Sequence, residues 1–484
     1  MILAFLIIAP FLAAIIALIL EPRQRSLIEG SALTAQLSSF LLSIDIVCAV
    51  AKGESVSFTS FLRIDAIGAW FLILVSGIGL AAVIHSIGYL REEVRKEIIG
   101  LRRVRQYYIL FSFFLFAMLL AVSANYPILM WIAIEMTTLS TVFLISFYHQ
   151  PASTEAAWKY LMLNSLGLLL GLLGVMLFFS LPEGGVTGFD WEHLRLAAGA
   201  GLSPIAAQIA FVCIFVGYGT KVGFVPMHTW LPDGHSKTPA PISALMSGVL
   251  LNVALLAILR FSSIVKATGA GDFVMHIFLF FGFFSVALSA FIMFVQKNYK
   301  RLLAYSSIDN MGLIALGFAF GGIGTFAALL QMLYHALLKS LLFLSAGNIL
   351  VKYGSTKIRN VQGVFRTLPV TGTLFFGAFI ALSGLPPFGM FMSKMLLLSA
   401  GFSAHPYLVS ALFFLLAIVF FGFFRHISVM CFGKPAEGIV AGESNDWMLS
   451  AIILLSVAFV ILSVALPAPL RAVLDQATIL LNNK

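Results

Sequence analysis

The chain has 484 residues, of which 61% are hydrophobic and only 10% charged. A soluble fold carries about 25% charged residues, so this composition marks an all-α, polytopic membrane protein. The formal charge of +9 resides in short loops, not in a basic groove interleaved with aromatics, which excludes nucleic acid as a partner.

In chain order, the apolar runs predict about fourteen transmembrane helices of roughly 20 residues each. The first runs from Ile2 to Leu20, with no basic stretch before it, and reads as a retained span rather than a cleaved signal peptide. The second covers Ile28 to Val50 and the third Ile64 to Leu90. The segment from Arg91 to Arg105 holds six basic residues and reads as a solvated loop. Spans four to six follow at Gln106–Ser123, Tyr126–Tyr148 and Ala156–Leu181, then a polar loop with Asp190, Glu192 and Arg195. Spans seven to eleven are Pro204–Pro226, Pro241–Phe261, Asp272–Val295, Tyr305–Phe320 and Phe326–Val351. The last three are Leu368–Phe402, Pro406–Cys431 and Trp447–Leu466. The tail from Pro467 to Lys484 has an apolar periodicity suited to a membrane surface.

Most of the 29 basic residues fall on one side if the N-terminus is outside. The positive-inside rule then places both termini outside and Arg91–Arg105 in the cytoplasm, in an inner membrane. Spans seven and twelve are both interrupted by glycine and proline, and each carries a lysine, Lys221 and Lys394. Spans six and eleven also pair, with Lys159 and Lys339. Broken spans five apart point to an inverted five-helix repeat, as in ion transporters. The expected organisation is residues 1–105 for helices 1–3 and the cytoplasmic loop, 106–262 for the first repeat, 263–433 for the second, and 434–484 for the last helix and tail.

Intramembrane charges are expensive, and by default they mark an ion or substrate path. Lys221 lies in an apolar run loosened by Gly217, Gly219, Gly223 and Pro226. Glu135 lies about ten residues into span five, near the bilayer centre. A Glu135–Lys221 pair whose separation changes is able to capture and release a proton; the bland alternative is a static ion pair. His335 and Lys339 sit on adjacent turns of span eleven and share a face, and Lys394 follows in span twelve. A lone histidine is more often a core residue than a relay, but a lysine stands one turn away. His228 and His235 near the inner surface suit either proton uptake or capping of the helix break. His85 and Asp45 are isolated signals, and Asp309 reads as the polar start of its helix. Cys48, Cys213 and Cys431 form no CxxC, so neither a metal nor another cofactor is expected.

The stretch K-V-G-F-V-P-M-H-T-W-L-P-D-G-H-S-K-T-P-A-P from Lys221 to Pro241 carries a family resemblance, as does K-R-L-L-A-Y-S-S-I from Lys300 to Ile308. W-I-A-I-E-M around Glu135 and H-A-L-L-K-S-L-L-F from His335 agree in order and spacing. Together they resemble an antiporter-like proton-translocating subunit of the complex I superfamily, akin to the Mrp antiporter subunits. The wording around Pro239–Phe261 and Ser383–Lys394 is most similar to the hydrogenase-4, or formate hydrogenlyase, type of membrane subunit.

That resemblance implies two inverted five-helix bundles with protons passing between two half-channels. It makes Glu135 the carboxylate of helix five, Lys221 its lysine partner, His335 and Lys339 part of a central polar axis, and Lys394 the group near the outward exit. Many relatives have lysine or histidine on helix eight where this chain has Asn252, which leaves full pumping competence open. The implied function is movement of protons, with sodium as the other candidate ion, by a non-redox subunit of a membrane-bound hydrogenase or NADH:quinone oxidoreductase-like complex. Its partners would be other membrane subunits, the lipid bilayer and, indirectly, a soluble hydrogenase or dehydrogenase arm. The alternatives are a subunit of an Mrp-type antiporter and a structural anchor that no longer conducts.

Overall fold

Long apolar runs punctuated by proline, glycine and short polar loops leave the backbone one way to satisfy its hydrogen bonds in lipid, which is to form helices. The computed structural model describes residues 1–180, 188–435 and 438–482. Its first helices are α1 (Ile2–Ile19), α2 (Arg25–Ala51), α3 (Ala66–Arg95), α4 (Leu101–Ser123), α5 (Pro127–Ile145) and α6 (Pro151–Ser180). A two-stranded hairpin, β1 (Val56–Phe58) and β2 (Leu62–Ile64), joins α2 to α3. Then come α7 (Trp191–Gly201), α8 (Pro204–Val222), α9 (Trp230–Lys237) and α10 (Ala240–Leu245). A π-helical turn at Met246–Leu250 links α10 to α11 (Leu251–Ala267). The chain continues with α12 (Gly271–Met293), α13 (Tyr299–Phe320), α14 (Ile323–Tyr353) and the short α15 (Val364–Thr367). It closes with α16 (Pro369–Ser383), α17 (Gly389–Phe402), α18 (Pro406–Phe432), α19 (Asp446–Val464) and α20 (Ala468–Asn482).

Among the described residues, 13 helices are long and apolar enough to cross a membrane, with α10, the π-turn and α11 taken as one. The shorter α16 and α17, in series, take the place of the broken twelfth span. The polytopic all-α expectation is therefore borne out. The expected end of the sixth span at Leu181, and Lys484, lie outside the described residues.

Tertiary hydrogen bonds sort the loops into two ends. At one, Asn125 N donates to Phe61 O, Gln476 Nε2 to Ala51 O, and Arg260 grips Asp65. At the other, Arg105 reaches Leu20 O, Asn298 bonds Thr356, and Lys159 and Arg301 both meet Asp233. The second end carries most of the basic loop residues.

Three boundaries differ from expectation. α13 begins at Tyr299, because the Asn298 side chain accepts from the backbone N–H groups of Lys300 and Arg301 as an N-cap. Asp190 caps α7 in the same way, so the polar loop after α6 is partly helical. The Arg91–Arg105 segment is not a uniformly solvated loop. α3 continues to Arg95, Glu92 and Glu93 are buried, and Arg91 joins Arg25 on the buried Glu29.

α14 is the central helix: it packs on α3, α10, α13, α16, α17, α19 and α20 and is almost wholly buried. α20 lies against α2, α3 and α14 and buries Leu470, Val473, Leu474 and Ala477, so it is covered by this chain's own helices on that face.

Candidate ion path

α8 ends at Gly223, whose φ of 84° is left-handed and whose N–H closes the helix on Gly219 O. Trp230 Nε1 donates to Thr220 O at 2.8 Å. The break is thus capped by Gly223 and Trp230, and neither His228 nor His235 caps a helix with its side chain. This turn aims Lys221, fully buried, at the middle of α5 and α6. Its Nζ donates to Thr138 Oγ1 at 2.8 Å and to Tyr160 Oη at 2.6 Å, and the Tyr160 hydroxyl pairs with that of Thr141.

Glu135 is one turn before Thr138 on α5. Its Oε1 accepts from Ser165 Oγ on α6 at 2.9 Å, and its Oε2 is buried without a partner. Lys221 and Glu135 are therefore not in direct contact: the Thr138 that holds Lys221 lies one turn from Glu135, and its hydroxyl turns to Ile134 O at 3.5 Å. Hydroxyls hold each group, which satisfies the ammonium while leaving one carboxylate oxygen free.

The second half holds two more buried lysines. Lys339 on α14 is fully buried and donates to Ser306 Oγ at 2.6 Å and to Leu303 O, both on α13. His335, one turn earlier, is also fully buried, and neither ring nitrogen has a partner. Lys394 on α17 donates to Leu382 O at 2.9 Å and Ser383 O at 3.2 Å. These are the last carbonyls of α16, left open where that helix stops at Gly384, φ 83°. Ser307 of α13 bonds Ser247 in the π-turn at 2.7 Å. Asn252 is buried and spends its amide on Gly248 O of its own helix, while its Oδ1 has no partner.

Lys159, matched with Lys339 in the sequence, is half exposed and pairs with Glu155 and Asp233. Its environment does not match that of Lys339, because the inward-facing position on α6 belongs to the adjacent Tyr160. His85 is buried against Asn348 Oδ1, and Asp45 is on an exposed face of α2.

Three residues that the sequence reading did not place on the ion path lie inside. Lys300 is buried and donates to Thr238 O at 2.6 Å. Glu93 accepts from the Tyr148 hydroxyl. Both line a cavity of about 350 Å³ at the basic end, with Glu92, Lys96 and Lys237. One turn from Thr238, His235 stacks on Phe343 at 4.8 Å, and Lys339 Nζ lies 5.4 Å from the same ring. Asp309 is the third. It is not at a helix start but eleven positions into α13, fully buried, with Oδ1 unpartnered. The Asn298 cap was the signal for both Lys300 and Asp309, since it moves the start of α13 six residues earlier.

Residues 123–420 match the family described as NADH:quinone oxidoreductase/Mrp antiporter, TM. The chain belongs to this family. Among its relatives, the Hydrogenase-4 component F homolog of Methylacidiphilum infernorum is 38% identical over 78% of this chain and 80% of that protein. Hydrogenase-4 component B of Escherichia coli is 29% identical over 77% of this chain, which spans only 56% of that longer protein. The fold is also that of a chain in the membrane-bound sulfane sulfur reductase, an archaeal respiratory membrane complex. The TM-score is 0.86, with 23% identity over 99% of this chain and 96% of that one. Family membership puts the buried lysines into an ion-transport scaffold. It does not by itself assign a role to any of them.

Proposed function

We propose that this chain is a proton-translocating membrane subunit of a multi-subunit redox complex of the hydrogenase type, with no redox site of its own. The observation that carries the reading is the series of buried lysines, Lys221, Lys339 and Lys394, each held only by hydroxyls or carbonyls. An ammonium without a bonded carboxylate, at that depth, is poised to lose and regain its proton as nearby charge shifts. Protons enter from the basic end, which faces the cytoplasm under the positive-inside rule, so both termini face outward. Glu135 and Lys221 form the first switching pair, with Thr138 holding Lys221 one turn from the carboxylate. His335 and Lys339 carry the central step, aided by His235 and by water near Asn252, and Lys394 is the exit group. His228 stands beside the uptake side. The two halves, residues 106–262 and 263–433, act as inverted repeats.

Partner subunits are supported by Glu135 itself. It is only partly buried and lies on the same α5 stripe as the exposed Ile132 and Leu139, where a neighbouring subunit would keep lipid away from its carboxylate. The hydrogenase-4 relatives favour a redox-driven complex over an Mrp-type antiporter. The test is pH-gradient formation in vesicles holding the intact purified complex, together with its subunit composition. Lys221→Ala should abolish the gradient while the complex still assembles. Normal pumping by that variant would defeat the reading, and hydrogenase subunits absent from the purified complex would redirect it to the antiporter alternative.

A further inference from the structure

Lys339 and Lys394 present a charge problem that the first half does not have. Lys221 has Glu135 one turn from its hydroxyl ligand. In the second half, the sequence between Asp272 and Glu437 contains a single acidic residue, Asp309. It is 1% exposed, and its Oδ1 bonds nothing. Lys339 is bound one turn away at Ser306, and Gln331 ties the adjacent Asn310 to Ser393 beside Lys394.

Its surroundings join the two lysines. Ser306, one turn before Asp309, receives Lys339. Asn310, next to it, donates to Ser306 O at 2.8 Å and more weakly to Asp309 Oδ2 at 3.4 Å, and it accepts from Gln331 Nε2 at 3.0 Å. Gln331 in turn accepts from Ser393, the neighbour of Lys394, at 2.5 Å. Amides and hydroxyls in this ladder are fixed dipoles that take no net charge at neutral pH. Asp309 is its one ionisable acid.

The spacing resembles that of the first half, in reverse chain order. There the lysine ligand Thr138 is three residues after Glu135 on α5. Here the lysine ligand Ser306 is three residues before Asp309 on α13. The loops place the start of α5 and the start of α13 at opposite ends of the molecule, so the two helices run in opposite directions. In both halves, therefore, the carboxylate lies one turn from the lysine's hydroxyl on the side away from the basic end.

We infer that Asp309 is the counter-charge shared by Lys339 and Lys394, with the part in the second half that Glu135 has in the first. When Lys339 is charged, the carboxylate balances it; when the charge passes to Lys394, the same carboxylate balances that. The inference rests on the proton-translocating reading above.

The experiment is pH-gradient formation by the intact complex carrying Asp309→Asn, Asp309→Glu or, in parallel, Lys221→Ala. Asp309→Asn should lower pumping at least tenfold with assembly and melting unchanged, because asparagine keeps the shape and the contact with Asn310. Asp309→Glu should pump better than Asp309→Asn. Pumping by Asp309→Asn within twofold of the parent, or no rescue by glutamate, overturns the assignment. If Asp309→Asn fails to assemble, Asp309→Asn with Lys339→Gln decides: restored assembly supports a charge-balancing role, and continued failure overturns it. Normal pumping by Lys221→Ala would instead defeat the underlying reading, which keeps the two failures apart.

Discussion

The Lys221 ammonium and the Thr138 hydroxyl lie 2.8 Å apart, with Glu135 one helical turn away on the same helix. Thr138 therefore fixes where the ammonium sits relative to the carboxylate. Its hydroxyl accepts from the lysine and turns its own proton to Ile134 O at 3.5 Å, so it holds the ammonium in place without touching Glu135.

Thr138→Val keeps both charges and removes that anchor for Lys221. The loss of a hydrogen bond to a charged group is worth about 1.5–3 kcal/mol, so proton pumping should fall roughly ten- to hundredfold. Glu135→Gln and Lys221→Ala should each abolish it, and the double variant should be little worse than either, as for residues that act as a unit. Vesicle pH gradients, with assembly checked by gel filtration, decide this. Unimpaired pumping by Thr138→Val would make the contact structural only.

Gly384 is the second point of leverage. Its φ of 83° is left-handed, and a Cβ there would come within 2.7 Å of Lys394 Cδ. Gly384→Ala should cost about 1–2 kcal/mol in backbone strain and also displace the lysine from the α16 carbonyls. Gly377, on the same helix, has open space around it and serves as the control for Gly377→Ala. Pumping should drop in the first variant and stay level in the second.

Asp65 ties the start of α3 to α11. It caps Gly68 N at 2.7 Å and takes a two-pronged contact from Arg260 at 2.9 and 3.0 Å. Burial by itself would raise this carboxyl, but the Arg260 guanidinium outweighs it and holds the carboxyl below its usual value of 3.8. A lowered native pKa means that the unfolded chain binds the proton more readily. Stability from this pair is therefore complete above the ordinary carboxylate range and is lost as pH falls through the native pKa. The melting temperature of the complex should drop below about pH 4, and Asp65→Asn should start lower and flatten that dependence. An unchanged acid limb in the variant would show that other carboxylates govern it.

Ile98, between α3 and α4, is exposed at the basic end. A cysteine placed there should react with a membrane-impermeant maleimide only when the cytoplasmic face is accessible. Labelling of intact cells from outside would invert the proposed topology.

Hydropathy, and the glycines and prolines that interrupt it, determined the number of spans and the breaks at Gly223 and Gly384, because both effects act over a few residues of chain. The buried lysines were legible for the same reason: an ammonium in an apolar run is conspicuous wherever it falls. The start of α13 was also local, written in the Asn298 cap, and misplacing it by six residues turned Asp309 from a mid-helix acid into a helix start. What each charge touches was not local. Thr138 and Tyr160 reach Lys221, and Ser306 reaches Lys339, across gaps of 83, 61 and 33 residues. Only helix–helix packing decides which hydroxyl lies within reach of an ammonium and which carboxylate stays one turn away. A side chain's bonding partner depends on rotation and depth of two helices at once, and no stretch of sequence encodes both.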